Sequence, residues 1–375
     1  MKIAILKERA SGETRVAATP ETAKKFAALG CTVVVEAGAG VIASITDDAY
    51  AEAGATIANA ADCVKDADIV LGIQAPDVAL LGGAKPGAWV AALFDPFTKR
   101  DVVDAYAAAG YEALSMEFMP RITRAQSMDV LSSQSNLAGY KAVLAAADAY
   151  GRAFPMMMTA AGTVQAARAF IMGVGVAGLQ AIGTARRLGA QVSATDVRSA
   201  TKEQIMSLGA KPIFVESVAG IEGEGAGGYA TEMSDEYKAA QAELVSAHIA
   251  KQDIVITTAL IPGRPAPRLI SDAQIATMKP GSVIFDLAVA QGGNVEGSKP
   301  DEIVVKHGVK IVGYSNTPAH LAADTSALFS RNLYNFLSAF WDKESGKPIL
   351  PDDDEITAAI RLTKDGKVVN DRLLA

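Results

Sequence analysis

Histidine and cysteine are scarce in this chain of 375 residues, which holds three of the first and two of the second. Cys31 and Cys63 have neither metal-ligand spacing nor the density of a secreted disulfide scaffold, so they read as buried, reduced thiols. His248, His307 and His320 lie far apart in unrelated segments and read as structural or surface residues, and no metal is expected. Basic residues are not in excess either. The 35 Lys and Arg against 42 Asp and Glu give a net charge of −7 with no dense basic cluster, which excludes a nucleic-acid surface or a polybasic membrane anchor. No stretch of about 18 apolar residues is free of charge, so direct membrane insertion is not expected. Met1–Lys7 is too short and too charged for a signal peptide and reads as an opening strand, which leaves the cytoplasm as the expected location. The acidic run Pro351–Glu355 reads as a solvated turn, and Met156–Met158 as core packing.

What the chain does have is length for two domains and a steady alternation of strand-like and helix-like segments, which implies parallel sheets with crossover helices. Strands are expected at Ile3–Leu6, Thr32–Val35, Ile69–Gly72 and Trp89–Leu93. Helices are expected at Pro20–Leu29, with proline in its first turn and Gly30 closing it, and at Asp101–Ala109. An alanine-rich helix follows from Leu131 to Ala147. A second α/β unit then has strands at Ala166–Met172, Gln191–Thr195, Ile254–Thr257, Val283–Asp286 and Ile311–Gly313, followed by a helix from Thr325 to Phe340. The fold class is therefore α/β: two Rossmann-like, doubly wound parallel-sheet domains joined by long helices, with a cleft between them. The expected division is residues 1–130 with 320–375 as a discontinuous first domain, and 131–319 as the second, dinucleotide-binding domain. Residues 217–235 hold Gly220, Gly223, Gly225, Gly227 and Gly228 with little apolar periodicity, the pattern of a functional loop.

Gly173-Val174-Gly175-Val176-Ala177-Gly178 fits the G-x-G-x-x-G pattern, and its context makes it specific. It follows an apolar strand, opens a helix with Val176, Leu179 and Ile182 on one face, and precedes Asp196 by 23 residues, counted from Gly173. Gly173 permits the tight turn, Gly175 lets backbone approach a pyrophosphate, and Gly178 lets helix and strand pack closely. The pyrophosphate then meets unpaired N–H groups at the positive helix end. Asp196 is placed to accept the adenosine ribose hydroxyls and to repel a 2′-phosphate, which favours NAD(H) over NADP(H). Arg198 points the other way, since an arginine there attracts phosphate; it either stacks on the adenine or faces solvent.

Several further runs carry a resemblance. They are Lys7-Glu8-Arg9 with Gly12–Ala17, Arg121–Tyr140 (RITRAQSMDVLSSQSNLAGY), the fingerprint through Arg198, and Gly227–Ala230. Thr257–Pro267 (TTALIPGRPAP), Gly281–Asn294 (GSVIFDLAVAQGGN), and Ala322–Asp324 leading into Leu333–Leu337 complete them. From Met1 to about Phe340 the chain resembles the NAD(H)-binding component (domain I, alpha subunit) of the proton-translocating, Re/Si-specific NAD(P) transhydrogenases. The alanine dehydrogenases are a sister family of the same fold. They resemble this chain but carry a lysine where Gln74 stands, a histidine after the strand ending near Leu93, and an aspartate where Ala290 stands. Interconverting an amine and a carbonyl needs a general acid/base, whereas moving hydride between two nicotinamides needs only positioning, electrostatics and exclusion of water.

The resemblance implies that Arg121, Gln126, Asp129 and Ser132 surround the nicotinamide half of the cofactor. Gln126 would bond the ribose and bridge towards NADP(H), Ser132 would orient the carboxamide, and Arg121 would pair with Asp129. Taken without the resemblance, the same four residues read equally as a helix N-cap with a surface ion pair. Val197, Arg198, Thr258, Ala259 and Leu260 would complete the NAD(H) site, with Tyr229 as the aromatic contact of a closing lid over residues 217–235. The implied function is an NAD(H)-binding subunit that passes hydride between NADH and NADP+ held on a partner component. Its implied partners are an NADP(H)-binding component and a membrane-spanning component, through which it would sit peripherally at the inner membrane, and a second copy in a homodimer. The chain would be a stand-alone subunit or a piece of a longer one. An alanine-type amino-acid dehydrogenase and a non-catalytic NAD(H)-binding module are the alternatives.

Overall fold

The computed structural model describes residues 1–215, 235–261 and 263–374. These divide into two compact units, Met1–Gln134 with Ala319–Ala375, and Ser135–Pro318.

The first unit opens with β1 (Lys2–Ile5), α1 (Pro20–Ala28), β2 (Thr32–Glu36), α2 (Asp47–Glu52), β3 (Thr56–Ala58) and α3 (Ala60–Val64). β4 (Ile69–Gln74), β5 (Trp89–Leu93), α4 (Arg100–Ala108) and β6 (Glu112–Ser115) complete its sheet, ordered β3-β2-β1-β4-β5-β6 with every pairing parallel. Alternation along the strands divides the core between the two faces. Ile3, Ile5, Val33, Val35 and Leu71 pack with Phe26, Phe329 and Phe336. Ala4, Val34, Val70 and Val90 pack on the opposite face with Phe94, Cys63 and Tyr106. Both cysteines are buried and unpaired.

α5 (Val130–Tyr150) carries the chain into the second unit. A hairpin of β7 (Met157–Thr159) and β8 (Gly162–Val164) comes first. The main sheet follows with β9 (Arg168–Met172), α6 (Val176–Arg187), β10 (Gln191–Thr195), α7 (Thr201–Ser207), β11 (Lys211–Pro212), α8 (Asp235–Ile249) and β12 (Ile254–Thr257). Then come α9 (Asp272–Ile275), β13 (Val283–Asp286), β14 (Glu302–Lys306) and β15 (Val309–Gly313). The strand order is β11-β10-β9-β12-β13-β15-β14, parallel except for the antiparallel edge strand β14. Ile171, Val174, Ala181 and Ile182 face Ala142, Val143 and Ala146 of α5. Phe170, Val255 and Ile284 pack against Val245 and Ile249 of α8 on the other side. The chain then returns to the first unit through α10 (Ala322–Ala339) and α11 (Glu355–Ile360).

Met156, Met157 and Met158 are 61%, 43% and 78% exposed, which corrects their reading as core. They sit on a two-stranded hairpin, and such a hairpin has no second layer to bury them. No helix among the described residues is long and apolar enough to cross a membrane.

Candidate functional site

In the second unit the fingerprint occupies the carboxyl end of β9, beside the point where the strand order reverses between β9 and β12, the place where open α/β sheets bind ligands. Gly175 is the N-cap of α6, and among the described residues no side chain caps the first N–H groups. A side chain at Gly175 would meet no atom of the described residues within 4 Å. An uncapped helix start with that clearance fits a pyrophosphate. Gly178 is fixed by close approach: a Cβ on it would lie 1.9 Å from the carbonyl oxygen of Gly173. Val176 and Ala177 form the first turn behind it. Gly139 of α5 reaches the same loop, where a Cβ would sit 2.1 Å from the carbonyl oxygen of Ala177.

Asp196, just past β10, is buried, and Arg198 lies folded onto it. The Val174 N–H donates to Asp196 Oδ2 at 2.7 Å, and the Arg198 N–H donates to Oδ1 at 2.9 Å. The Arg198 guanidinium donates from Nε to Oδ1 at 2.9 Å and from Nη2 to Oδ2 at 3.0 Å. The Arg198 side chain is 15% exposed and forms a fork on the carboxylate, which differs from the solvent-facing pose. Val197 lies between the pair.

The loops after β12 and β13 complete this rim. The Thr258 hydroxyl donates to the carbonyl of Gly173 at 3.0 Å, which ties the β12 loop to the fingerprint. Asn294, fully buried, accepts from the Ala259 N–H at 3.1 Å and donates to the carbonyls of Ala259 and Pro267, each at 2.8 Å. Asp286 in turn accepts from the N–H groups of Ala288 at 2.9 Å and Asn294 at 3.2 Å. Leu260 is 37% exposed at the tip of the loop. Tyr229 and residues 217–234 lie outside the described residues. Gly139, Asn294 and Asp286 were missed as site residues. Asn294 closes the quoted run from Gly281, and a buried amide at the end of a glycine turn was its one signal.

In the first unit, Arg121, Gln126, Asp129 and Ser132 fall in the turn before α5 and in its first turn. The Ser132 N–H donates to Asp129 Oδ1 at 2.9 Å, and the Ser132 hydroxyl donates to Asp129 Oδ2 at 2.5 Å. Asp129 thus caps α5. Both Asp129 carboxylate oxygens accept from Ser132. The Ser132 oxygen keeps its lone pairs for an incoming donor. Gln126 is exposed, and the Ser127 carbonyl is gripped by Asn332 and Asn335 of α10 at 2.8 and 3.0 Å. The segment that carries Gln126 is therefore held rigidly from behind.

A second polar cluster lies at the carboxyl ends of β1 and β4. Arg15 forks onto Glu13, Nε to Oε1 at 2.7 Å and Nη2 to Oε2 at 2.6 Å, and Nη1 donates to Gln134 Oε1 at 2.8 Å. Gln74 Nε2 donates to Glu13 Oε2 at 3.1 Å. Burial pushes the Glu13 carboxyl up, but Arg15 outweighs it and holds the group below the ordinary range. Glu8, which accepts from the Ile73 N–H at 2.6 Å, has only distant cationic help, and burial pushes it up from 4.5 to about 7. A carboxyl raised on folding stabilises the protein below pH 4.5 and loses that contribution as pH climbs through about 7. The Glu8→Gln variant should therefore be more stable than wild type by about 2 kcal/mol at pH 8.5 and no more stable at pH 4. Urea unfolding at the two pH values checks this, and an equal difference at both would remove Glu8 as a titrating group.

Among the described residues no group of three His, Cys, Asp or Glu is placed to hold a metal ion. Ala290 is exposed beyond β13, and the Phe94 and Asp95 N–H groups after β5 both donate to Glu117 Oε1, at 2.7 and 2.6 Å.

The chain matches the family models described as alanine dehydrogenase/PNT N-terminal domain over residues 4–138 and C-terminal domain over residues 142–371. It is 55% identical, over 100% of its length and 99% of the other's, to the Rhodospirillum rubrum protein named as the first part of NAD(P) transhydrogenase subunit alpha. It is 41% identical to NAD(P) transhydrogenase subunit alpha of Cereibacter sphaeroides, covering 98% of this chain and 71% of that one. A solved transhydrogenase from Sinorhizobium meliloti, 51% identical, covers 98% of this chain and 100% of its own with a TM-score of 0.90. An L-alanine dehydrogenase structure at 22% identity covers 100% of this chain and 98% of its own, and shares the fold at a TM-score of 0.81. With a glycine-bounded helix start and a buried strand-end carboxylate in the second unit, the chain belongs to the alanine dehydrogenase/PNT family of NAD(H)-binding oxidoreductases, among its NAD(P) transhydrogenase alpha subunits.

Proposed function

We propose that this chain is the NAD(H) carrier of a proton-translocating transhydrogenase. It passes hydride between NADH and NADP+ held on an NADP(H)-binding partner, and a membrane-spanning component anchors it peripherally at the membrane. The observation that carries this reading is the exposed Gln126 beside the Asp129–Ser132 pair. These are hydrogen-bonding groups with no strong base among them, as suits a transfer that moves no proton at the reacting carbons. Bound NADH supplies the hydride. The α6 N-terminus holds the pyrophosphate, Asp196 meets the adenosine ribose, and Thr258, Ala259 and Leu260 wall the pocket. Ser132 accepts from the carboxamide and Gln126 bonds on the side open to the partner, with Arg121 beside it. A homodimer is the assembly this reading favours.

The test is hydride transfer from NADH to an NADP+ analogue with and without an added NADP-binding component. Transfer only in the mixture supports the proposal; none in either arm removes it. The alanine-dehydrogenase reading predicts the opposite pattern. With Gln74 bonded to Glu13 and Ala290 exposed, L-alanine and NAD+ should yield no NADH at about 1 per second or faster. Absorbance at 340 nm checks it, and turnover in that range would revive the rival.

A further inference from the structure

A carboxylate offers about four acceptor positions, and all four on Asp196 are taken. Two go to backbone N–H groups of Val174 and Arg198 and two to the Arg198 guanidinium. The backbone pair is fixed by the turn after β9 and the bend after β10. The guanidinium pair comes from a side chain with rotatable bonds, whose Nη2 also donates to the Val174 carbonyl at a longer 3.3 Å. A ribose diol that bonds to Asp196 must therefore displace guanidinium bonds, and Arg198 is the group that yields.

The displaced guanidinium remains within reach of the 2′ position, because it starts 2.9–3.0 Å from the carboxylate that reads it. A forked, permanently charged donor set is what binds a 2′-phosphate in NADP-specific Rossmann sites. We propose, resting on the NAD(H) assignment above, that Arg198 is a 2′-phosphate receptor held off by Asp196, and that cofactor choice resides in this one ion pair. In wild type the carboxylate repels the phosphate and occupies the receptor. Remove the carboxylate and the receptor is already in place, so a single substitution reverses the preference. The same pair makes Arg198 a competitor of the ribose, so its loss should not weaken NADH.

The experiment is calorimetric titration of the full chain with NADH, NADPH, 5′-AMP and 2′-AMP, beside thermal melts of each variant. Asp196→Ser should bind NADPH and 2′-AMP at least about tenfold more tightly than wild type, while NADH weakens. Asp196→Asn keeps an acceptor for the Val174 N–H and guards against a folding defect; it should show the same gain. Adding Arg198→Met to either should abolish the gain. Arg198→Met alone should hold NADH within about threefold of wild type or improve it, and should weaken NADPH further. The proposal is overturned if neither Asp196 variant gains NADPH affinity or if the double variant keeps the gain. A loss of NADH binding of about tenfold in Arg198→Met also overturns it, since Arg198 would then be holding the adenine. Failure of the NAD(H) assignment looks different: wild type would bind neither NADH nor 5′-AMP, and both readings would fall together.

Discussion

Gln126→Asn should slow hydride transfer in the reconstituted complex about a hundredfold while NADH affinity falls by less than about threefold. Reacting atoms must be held within about 3–3.5 Å, and a misplacement of about 1 Å is enough for such a loss. The substitution keeps the amide and shortens its reach by one methylene, so any effect reports position rather than chemistry. On the proposed reading, affinity is anchored at the α6 N-terminus and Asp196, in a unit that does not contain Gln126. The clamp of Asn332 and Asn335 on the Ser127 carbonyl leaves the segment little freedom to compensate. Stopped-flow transfer beside NADH titration of the isolated chain separates the outcomes. Wild-type transfer would take Gln126 out of the mechanism, and equal losses in both would make it an ordinary binding residue.

Gly139→Ala should destabilise the second unit by about 3 kcal/mol and weaken NADH at least about tenfold. The added methyl would lie 2.1 Å from the Ala177 oxygen, 2.8 Å from its carbon and 3.0 Å from its Cα. These are backbone atoms, so no rotamer relieves the clash, and α5 or the fingerprint loop must shift. A shift there moves the N–H groups to which the proposed reading assigns the pyrophosphate. Gly183→Ala on α6 is the control, because among the described residues its new methyl meets only the end of Arg187, at 3.7 Å. Alanine is the better helix residue there, so that variant should be neutral or stabilised by up to about 1 kcal/mol. Thermal melts and calorimetry read both. A Gly139→Ala protein that melts and binds like wild type would show that the loop adapts.

The parts legible in the sequence are those written in neighbouring residues. The fingerprint from Gly173 to Gly178 and the strand ending before Asp196 needed only local spacing, as did the paired apolar faces of β1, β4, β9 and β12. The short strands β3, β6 and β11 and the edge strand β14 went unread, because two to five residues of mixed polarity carry little period. The hairpin methionines misled because apolar composition does not say which side is covered. Gly139 is the clearest limit. Nothing in an alanine-rich helix marks one glycine as the contact with a loop some 38 residues on, since that fact belongs to packing. The Asp196–Arg198 fork was half visible: the two charges and their spacing were evident, but a lone i, i+2 pair across a strand end does not announce a bond.

The strand order β3-β2-β1-β4-β5-β6 recurs in the second sheet as β11-β10-β9-β12-β13-β15. One topology is thus written twice, and each copy has its own reversal point, at β1/β4 and at β9/β12. The first is plugged: Glu13, Arg15, Gln74 and Gln134 satisfy one another there, and the Glu13–Arg15 side chains are 1% and 3% exposed. At the second, the helix start after β9 has no side-chain cap among the described residues. Identical scaffolding has therefore been finished in two ways, with a bricked-up doorway in one half and an open one in the other. The difference was made by side chains at the reversal point, with the strand order untouched.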